Sequence, residues 1–444
     1  MVGLPARGKS YISKKLARYL YWLQFETRVF NAGQTRRRAL APQKGVYPSS
    51  DVSLSHPASF FDPDDMDAVK RRENIALQTL EDLLVWLNDE SSSVGILDAT
   101  NSTVQRRLAV LDKIRKTAHP CTELLFLESC CYDWSLLERN IRLKLSGPDY
   151  SQQNEESALN DFRKRIVLYE KNYVSMNESA EEEETPYLQL HDVGRRVIAN
   201  RINGFLSAQA TEYLLNFRLH QRQIWITRNG ESIDDADGKI GRSSSLSLRG
   251  TKFAHALSVF IKQQQQIWEE VKTYNKSRVK AGENKEILTS QEDITRSNFQ
   301  VWTSIMVQAV ETSKFFPEDE YLIRKFRTLN DLHAGQMEGL TFSEILDSHE
   351  DQMNLRRQDP VHYRWPGTGG ESYADVIHRL RPIIMELERL DDHVLLITHR
   401  AVARVLLAYF KELDWDRIAD VEVPPGRVFC VEPVSAAELS DEIS

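Results

Sequence analysis

The chain has 444 residues, 57 of them Lys or Arg and 65 Asp or Glu, which gives a formal net charge of −8. This acidic balance excludes a global positive field for nucleic acid, and a hydrophobic fraction of 41% excludes a disordered composition. No apolar run approaches the roughly 18 residues of a membrane span, and no secretory leader opens the chain. We therefore predict a cytoplasmic protein of two or three domains, and its four cysteines fit a reducing compartment.

Short β-rich runs alternate with helical periods in the first half of the chain. This alternation predicts an α/β domain, with a parallel sheet covered by helices. The predicted strands are 28–31, 94–98, 124–128 and 187–191. Residues 66–87 form a predicted amphipathic helix with an apolar stripe of Met66, Val69, Ile75, Leu80, Leu83, Leu84 and Leu87.

A second α/β series follows, and we place the boundary near His220, so that the predicted domains are 1–220 and 221–444. Its predicted strands are 223–227, 301–303 and 394–398, and predicted helices begin near Gly250 and Glu371.

Three stretches have the polar composition of surface insertions. Residues 42–59 are rich in Pro and Ser, residues 181–184 are four consecutive glutamates, and residues 263–298 open with four glutamines. Like charges at close range favour hydration, so we predict that the acidic run is a solvated loop.

The start of the chain carries a phosphate-binding pattern, GxxxxGK[ST], at residues 3–10. In this pattern, backbone N–H groups cradle phosphates, the lysine reaches the transferred group, and the hydroxyl binds Mg²⁺. An apolar helical period follows, as the pattern requires. We predict an ATP site formed by Gly3, Leu4, Pro5, Ala6, Arg7, Gly8, Lys9, Ser10 and Tyr11.

Such a site needs an acidic residue at the end of a neighbouring strand, and Asp98 ends the predicted strand 94–98. We predict that Asp98 and Ser10 hold the Mg²⁺ that accompanies ATP.

Basic residues also recur in pairs or triplets across this half. Ligands bind beyond the carboxyl ends of parallel strands, so these clusters could converge on a second anion, which indicates a small phosphorylated acceptor. The clusters are Arg36, Arg37 and Arg38; Arg71 and Arg72; Arg106 and Arg107; and Lys164 and Arg165.

Motifs occur in a fixed order along nearly the whole chain. They are residues 1–16, 29–31, 60–61, 98–101 and 147–150 in the first half, and 302–304, 370–373 and 383–389 in the second. In this order they resemble the 6-phosphofructo-2-kinase/fructose-2,6-bisphosphatase family.

The resemblance implies that the first domain transfers the γ-phosphoryl group of ATP to the 2-hydroxyl of fructose 6-phosphate. The product, fructose 2,6-bisphosphate, regulates glycolysis and gluconeogenesis, and the family implies a homodimer. The implied sugar-phosphate ligands are Arg36, Arg72, Thr100, Arg106, Arg165 and Tyr169.

The candidate catalytic residues are Lys9, Asp98, Cys131 and Lys144, and the resemblance implies Asn140 and Lys144 as nucleotide ligands. It also places Cys131 close to the kinase site. Phosphoryl transfer needs no thiolate, so we favour a buried structural thiol for Cys131.

Only Met1 and Val2 precede Gly3, whereas the strand before such a loop has about five residues. We therefore expect the chain to start within that strand. Two alternatives stay open: an inactive scaffold or sensor, and a P-loop kinase for another small phosphorylated acceptor.

The second half resembles the histidine-phosphatase fold, in which an Arg-His-Gly-Glu strand end supplies a nucleophilic imidazole. This chain has Arg228-Asn229-Gly230-Glu231 there, and an amide nitrogen cannot form the covalent intermediate. Gln308, Asp331 and Phe342 depart from the family's clamping arginine, acid/base glutamate and tyrosine. The resemblance implies a degraded site with little or no bisphosphatase activity, made of Arg228, Asn229, Asp331, Tyr373, His399 and Arg404.

Overall fold

A computed structural model divides the chain into two compact units near residue 220. The residues that it describes are 1–40, 58–89, 93–147, 149–150, 154–176, 178, 182–218, 222–280 and 299–432. Nearly all of the predicted insertion 42–59 lies outside them.

Two parallel strand pairs form the sheets of the first unit. β1 (Glu26–Asn31) pairs with β2 (Ser93–Asp98), and β3 (Phe126–Cys130) pairs with β4 (Tyr187–His191). The predicted α/β class with parallel sheets is thus confirmed, although the third strand lies two residues later than predicted. Polar residues that follow these strands meet at one edge because parallel strands share a carboxyl end.

An unpredicted strand, β5 (Arg196–Asn200), runs antiparallel to β4. The turn between them contains Asp192 and Val193 at positive φ, followed by Gly194. This tight turn reverses the chain, so the sheet is not parallel throughout.

Met1 and Val2 lie between β2 and β3. The Met1 N–H donates to the carbonyl of Leu97 at 2.9 Å, and the Val2 N–H donates to that of Leu127 at 2.7 Å. The Val2 carbonyl accepts from the Ser129 N–H at 3.0 Å. The phosphate loop therefore begins at the carboxyl ends of β2 and β3.

Helices connect these strands. Side-chain caps start several of them: Thr103, Asp133 and Asn154 each accept hydrogen bonds from backbone N–H groups of the first turn. The helices of the first unit are α1 (Lys9–Trp22), α2 (Ala32–Leu40), α3 (Met66–Asp89), α4 (Val104–Thr117), α5 (Trp134–Leu145), α6 (Glu155–Glu170) and α7 (Phe205–Asn216).

α3 is the amphipathic helix that the apolar stripe predicts. Leu80, Leu83 and Leu84 are buried in one cluster with residues of β3 and α4. Gly95 of β2 admits Leu83, since a Cβ at Gly95 would lie 2.7 Å from a Leu83 methyl carbon. Met66 was predicted to share the stripe, but it is 65% exposed because it opens the helix.

The acidic run is not a solvated loop throughout. Glu182 is completely buried, and both its carboxylate oxygens accept from the Arg107 guanidinium at 2.6 Å. The prediction for this run is wrong at Glu182, because a cation from α4 replaces the water that the carboxylate would otherwise need.

The second unit contains one five-stranded sheet in the order β10-β6-β9-β7-β8. β6 (Ile224–Arg228), β9 (His393–Thr398), β7 (Phe299–Thr303) and β8 (Leu322–Lys325) are parallel, and β10 (Val428–Val431) is an antiparallel edge.

The first half of the predicted insertion 263–298 is helical, because α9 continues to Lys280. Residues 281–298 lie outside the described residues. The helices of the second unit are α8 (Ile233–Ala236), α9 (Leu248–Lys280), α10 (Val307–Ser313), α11 (Phe342–Ser348), α12 (Glu350–Gln358), α13 (Tyr373–Arg389) and α14 (Arg400–Lys411). Among the helices of the described ranges, none is long and apolar enough to cross a bilayer.

Candidate active sites

The phosphate loop takes a conformation that needs its glycines. Gly3 has a φ of 134° and Gly8 a φ of 84°. A Cβ on Gly3 would lie 2.6 Å from the Ser129 carbonyl oxygen, so only glycine fits there. Gly8 caps α1, and the first N–H groups of a helix have no acceptor within it. The loop and the start of α1 therefore form a backbone site suited to phosphate.

Lys9, the first residue of α1, is buried and curls over this loop. Its Nζ donates to the carbonyl oxygens of Gly3 at 2.8 Å and Leu4 at 2.6 Å. Burial lowers the pKa of Lys9 to about 7; Asp98 opposes this shift, and Lys144 and other nearby cations add to it. An anion at the loop would favour the charged ammonium group.

Asp98 ends β2 beside the loop, as its position in the sequence predicts. Its Oδ2 accepts from the Nδ2 of Asn31, which ends the paired strand β1. Ser10 follows Lys9 in α1. A carboxylate and a hydroxyl are the hard oxygen donors that Mg²⁺ takes together with phosphate oxygens and water, so this donor set fits the ion.

Three arginines surround Asp149. Arg36 and Arg37 from α2 and Arg165 from α6 each form an ion pair with it; the Arg37 contact is 3.2 Å and the Arg165 contact 3.8 Å. One carboxylate cannot neutralise three guanidinium groups, so the cluster keeps a positive excess. Burial is the largest cause of the lowered pKa of Lys9 and of Lys144, and Arg165 lowers both further. The arginine cluster therefore lies within electrostatic range of the phosphate loop.

Buried donors in this region lack partners. Among the described residues, Nη1 of Arg7, Nε of Arg36 and Nε of Arg165 are buried without a hydrogen-bond partner. Because buried N–H groups are nearly always paired, these donors point to an anionic ligand.

The aromatic ring of Phe61 contacts two of the predicted sugar-phosphate ligands, Arg165 and Tyr169. The Arg165 guanidinium lies 3.8 Å from its centroid, and the Tyr169 ring lies 5.6 Å from it. Arg72 donates to the Asp62 carbonyl at 3.3 Å, and Arg106 donates to Glu73 at 2.6 Å.

Arg72 lies within electrostatic range of Arg106 and Tyr169: burial lowers its pKa, Tyr169 opposes the shift, and Arg106 adds to it. Thr100 follows Asp98 and accepts the Gly3 N–H through its carbonyl at 2.9 Å. Thr100 thus adjoins the phosphate loop, and Arg106 and Tyr169 lie within electrostatic range of Arg72.

The two nucleotide residues on α5 face the loop. Asn140 donates to the Ala6 carbonyl at 3.0 Å, which supports the loop from outside. Burial lowers the pKa of Lys144, and Asp98 opposes this shift. The Tyr11 ring packs against Phe217, with 5.6 Å between the ring centroids, and its role in nucleotide binding stays a prediction.

Cys131 follows β3 and is buried, with its Sγ 3.8 Å from the Asp133 carbonyl. Burial, together with Asp192, raises the pKa of this thiol. A thiol of raised pKa is a poor nucleophile, and this agrees with the interpretation of Cys131 as structural.

We expect Cys131→Ala to change the kinase kcat by less than about threefold, because no step needs a thiolate. Steady-state kinetics at neutral pH checks this, with thermal melting as the control for folding. A loss of about a hundredfold in a folded variant would assign the thiol a direct role.

Sequence reasoning gave no role to Asp149 and Phe61, although both lie within quoted motifs. The ion pairs of Asp149 span 112 residues or more to α2, so no local pattern predicts them. Conservation across homologues would have been the useful signal.

In the second unit, Asn229 follows β6 at the position of the family's nucleophile. It is buried, its N–H donates to the Thr398 carbonyl at 2.7 Å, and its Nδ2 donates to the Gly230 carbonyl at 2.8 Å. Arg228 donates to the Val423 carbonyl at 3.3 Å, and its Nε is a buried donor without a partner in the described ranges.

Gln308 on α10 is buried and neutral. Its Nε2 donates to the Arg242 carbonyl at 3.1 Å, and its Oε1 accepts from Ser243 at 3.5 Å. It contributes no positive charge at the position where the resemblance implies a clamping arginine.

His399 caps the start of α14, and its Nε2 lies 2.7 Å from the Ser304 hydroxyl. Burial lowers the pKa of His399, whereas the nearby Asp331 raises it. The His399 imidazole is thus held by the Ser304 hydroxyl, and the Asp331 carboxylate acts on it electrostatically.

Positive charge persists around Arg404. Its Nη1 donates to the Tyr373 hydroxyl at 2.9 Å, and its Nε donates to the Val421 carbonyl at 2.8 Å. Burial lowers the pKa of Arg400, and Arg404 and Arg228 lower it further. Arg400 was not predicted, although it directly follows His399 in the sequence. This cluster can hold an anion without a histidine nucleophile at position 229.

Two family models match the chain. The 6-phosphofructo-2-kinase model matches residues 1–221, and the histidine phosphatase superfamily (branch 1) model matches residues 280–437. Among solved structures, the α-ribazole phosphatase from Shigella flexneri is similar over 48% of this chain and 95% of its own, at 17% identity and a TM-score of 0.35.

Curated relatives align over nearly the whole chain. 6-Phosphofructo-2-kinase 1 of Saccharomyces cerevisiae is 44% identical over 98% of this chain and 50% of its own length. A probable 6-phosphofructo-2-kinase of Schizosaccharomyces pombe is 42% identical, over 97% and 70%. Human 6-phosphofructo-2-kinase/fructose-2,6-bisphosphatase 1 is 37% identical, over 98% and 81%.

The chain spans about half the length of the budding-yeast relative and more of the other two. The kinase model covers the phosphate-loop pattern at residues 3–10, whereas the histidine phosphatase match begins at residue 280 and does not include residues 228–231. The chain belongs to the 6-phosphofructo-2-kinase/fructose-2,6-bisphosphatase family.

Proposed function

We propose that the first unit transfers the γ-phosphoryl group of ATP to the 2-hydroxyl of fructose 6-phosphate. The observation that carries this proposal is the set of unpartnered guanidinium donors of Arg7, Arg36 and Arg165 beside the phosphate loop. Two phosphate groups, one on the nucleotide and one on the acceptor, account for so many cations around Asp98 and Asp149.

Phosphoryl transfer through a loose transition state depends on alignment and charge neutralisation. In this proposal the backbone of the phosphate loop holds the nucleotide phosphates, and Lys9 exchanges the carbonyls of Gly3 and Leu4 for oxygens of the γ-phosphate. Mg²⁺, held by Ser10 and Asp98, would neutralise charge on the β- and γ-phosphates. Lys144, close to Asp98, adds a further cation at the transferred group.

The acceptor phosphate is bound by guanidinium groups, which fit a phosphate through parallel N–H bonds. Asp149 holds Arg36 and Arg165, and Glu73 holds Arg106, so these forks are oriented before the substrate arrives. Thr100 lies between Asp98 and the start of α4, where its hydroxyl can contact the sugar.

We expect Arg36→Ala to raise the KM for fructose 6-phosphate about 10- to 100-fold, which corresponds to one or two charge-assisted hydrogen bonds. The matched control is Arg38→Ala, an exposed position on the same helix, which should leave KM within about twofold. Initial rates at saturating ATP provide the measurement. Equal effects of the two changes would mean that α2 does not bind the acceptor.

The identity of the acceptor is tested by competition. Purified protein is given MgATP and an equimolar mixture of fructose 6-phosphate, glucose 6-phosphate and fructose 1-phosphate, and products are resolved by anion exchange. Acid-labile fructose 2,6-bisphosphate should dominate. Preferred phosphorylation of another sugar phosphate would favour the alternative P-loop kinase.

We also propose that the second unit hydrolyses fructose 2,6-bisphosphate little or not at all. Asn229 has no nucleophilic nitrogen lone pair, and Gln308 supplies no positive charge for the phosphoryl group. Arg228, Arg400 and Arg404 still supply positive charge, so weak phosphate binding is expected to persist. The family's homodimer stays a prediction, which light scattering of the purified protein would test.

A further inference from the structure

The most deeply buried ion pair of the first unit lies outside the set of residues proposed to contact substrates. Arg107 and Glu182 have fully buried side chains, and Nε and Nη2 of the arginine donate to the two carboxylate oxygens, each at 2.6 Å. Arg107 follows Arg106 in α4, but it faces away from Glu73, the partner of Arg106.

The remaining guanidinium nitrogen of Arg107 binds two backbone segments. Nη1 donates to the Val174 carbonyl at 2.8 Å and to the Asn101 carbonyl at 3.2 Å. The Val174 N–H in turn donates to the Ser102 carbonyl at 3.0 Å. One buried side chain thus joins the segment after α6 to the loop between β2 and α4.

That loop, residues 99–103, carries Thr100 and directly follows Asp98, the last residue of β2. Its Asn101 has a φ of 41°, a conformation that costs energy in a non-glycine residue and that surrounding contacts must maintain. Asn101 Nδ2 donates to the Met1 carbonyl at 2.8 Å, and Thr100 accepts from the Gly3 N–H. The position of the loop therefore sets the position of the phosphate loop relative to Asp98.

A second buried carboxylate anchors the same segment. Glu128 in β3 accepts from the Met176 N–H at 3.2 Å, from the Ser175 hydroxyl at 3.0 Å and from Gln189 Nε2 at 2.6 Å. The segment that binds Arg107 is thereby fixed to the sheet, so Arg107 has a rigid support on both sides.

We propose that Arg107, held by Glu182, is a positioning residue for phosphoryl transfer: it fixes the 99–103 loop so that Asp98, Thr100 and the phosphate loop keep their relative placement. This inference rests on the proposed kinase function. Replacing a buried ion pair by apolar residues of similar size is often neutral or stabilising, so the pair need not add net stability, and its donation to the Asn101 carbonyl acts at the loop itself.

The test uses the full chain with the double change Arg107→Met and Glu182→Leu, which removes both charges together. We expect a folded protein whose melting temperature changes by less than about 5 °C and whose kcat falls about 10- to 100-fold. Amide hydrogen exchange in residues 99–103 should become faster. Arg107→Lys keeps the charge but cannot reach all four oxygen partners, so it should show the same loss of kcat. If the double variant does not fold, this single variant tests the positioning role in its place.

The matched control is Arg222→Met with Glu388→Leu, an equally buried pair in the second unit. It should alter neither kcat nor exchange at 99–103. The inference would be overturned if the Arg107 variants, like the control, had the kcat of the wild type and its rate of amide exchange at residues 99–103. If the wild type makes no fructose 2,6-bisphosphate, the kinase proposal fails, and unchanged exchange in the Arg107 variants would then separately reject the positioning role.

Discussion

Replacing Lys9 by methionine is expected to lower kcat for fructose 2,6-bisphosphate formation by about 10³-fold or more. In the proposed mechanism Lys9 is the loop cation that contacts the γ-phosphate, and methionine fills a similar volume without charge. Burial lowers the pKa of Lys9 to about 7, Asp98 opposes this shift and the cations nearby add to it, so a bound phosphate would favour the charged ammonium group. Initial rates with saturating substrates provide the measurement.

The matched control is Lys14→Met, an exposed lysine on the same helix, for which we expect kcat within about twofold of wild type. Melting temperatures and fructose 6-phosphate binding should be alike in both variants. Comparable kcat values for the two would show that the loop lysine does not act in the transfer.

Restoring the second site is expected to produce a gain of activity. The combined change Asn229→His, Gln308→Arg and Asp331→Glu should release phosphate from fructose 2,6-bisphosphate at least about 10³-fold faster than wild type, since loss of a nucleophile removes most of the rate. His399, Arg228 and Arg404 are already in place to support it. A labelled, acid-labile phosphoenzyme should appear only in the restored variant.

Asn229→Ala with the same two companion changes is the control, and it should stay inactive. If the wild type released phosphate as fast as the restored variant, then Asn229 would not limit the reaction, and the second unit would be a working phosphatase with another nucleophile.

Long, strongly periodic elements could be predicted from the sequence. α3 and the parallel strands of both units except β8 occur where apolar patterning places them, because burying a continuous apolar face is their main source of stability. β5, β8 and β10 were missed. They are sheet-edge strands of four or five residues, whose pairing depends on a neighbour and not on their own pattern.

The candidate active site likewise contains some residues that the sequence identifies and others that only the tertiary structure reveals. The phosphate loop and Asp98 depend on local spacing, so sequence reasoning identifies them directly. Glu182 looks like a solvated charge until the fold brings Arg107 to it, across 75 residues. The three ion pairs of Asp149 likewise require α2 and α6 to meet, which only the tertiary structure shows.

The central claim is that one cleft aligns ATP with fructose 6-phosphate. Its most direct test incubates the purified chain with [γ-³²P]ATP, Mg²⁺ and fructose 6-phosphate, then follows label in fructose 2,6-bisphosphate, identified by its lability to mild acid. The account predicts labelled product that depends on both substrates and is lost in the Lys9→Met protein. Absence of labelled sugar from a folded chain that binds ATP would contradict it.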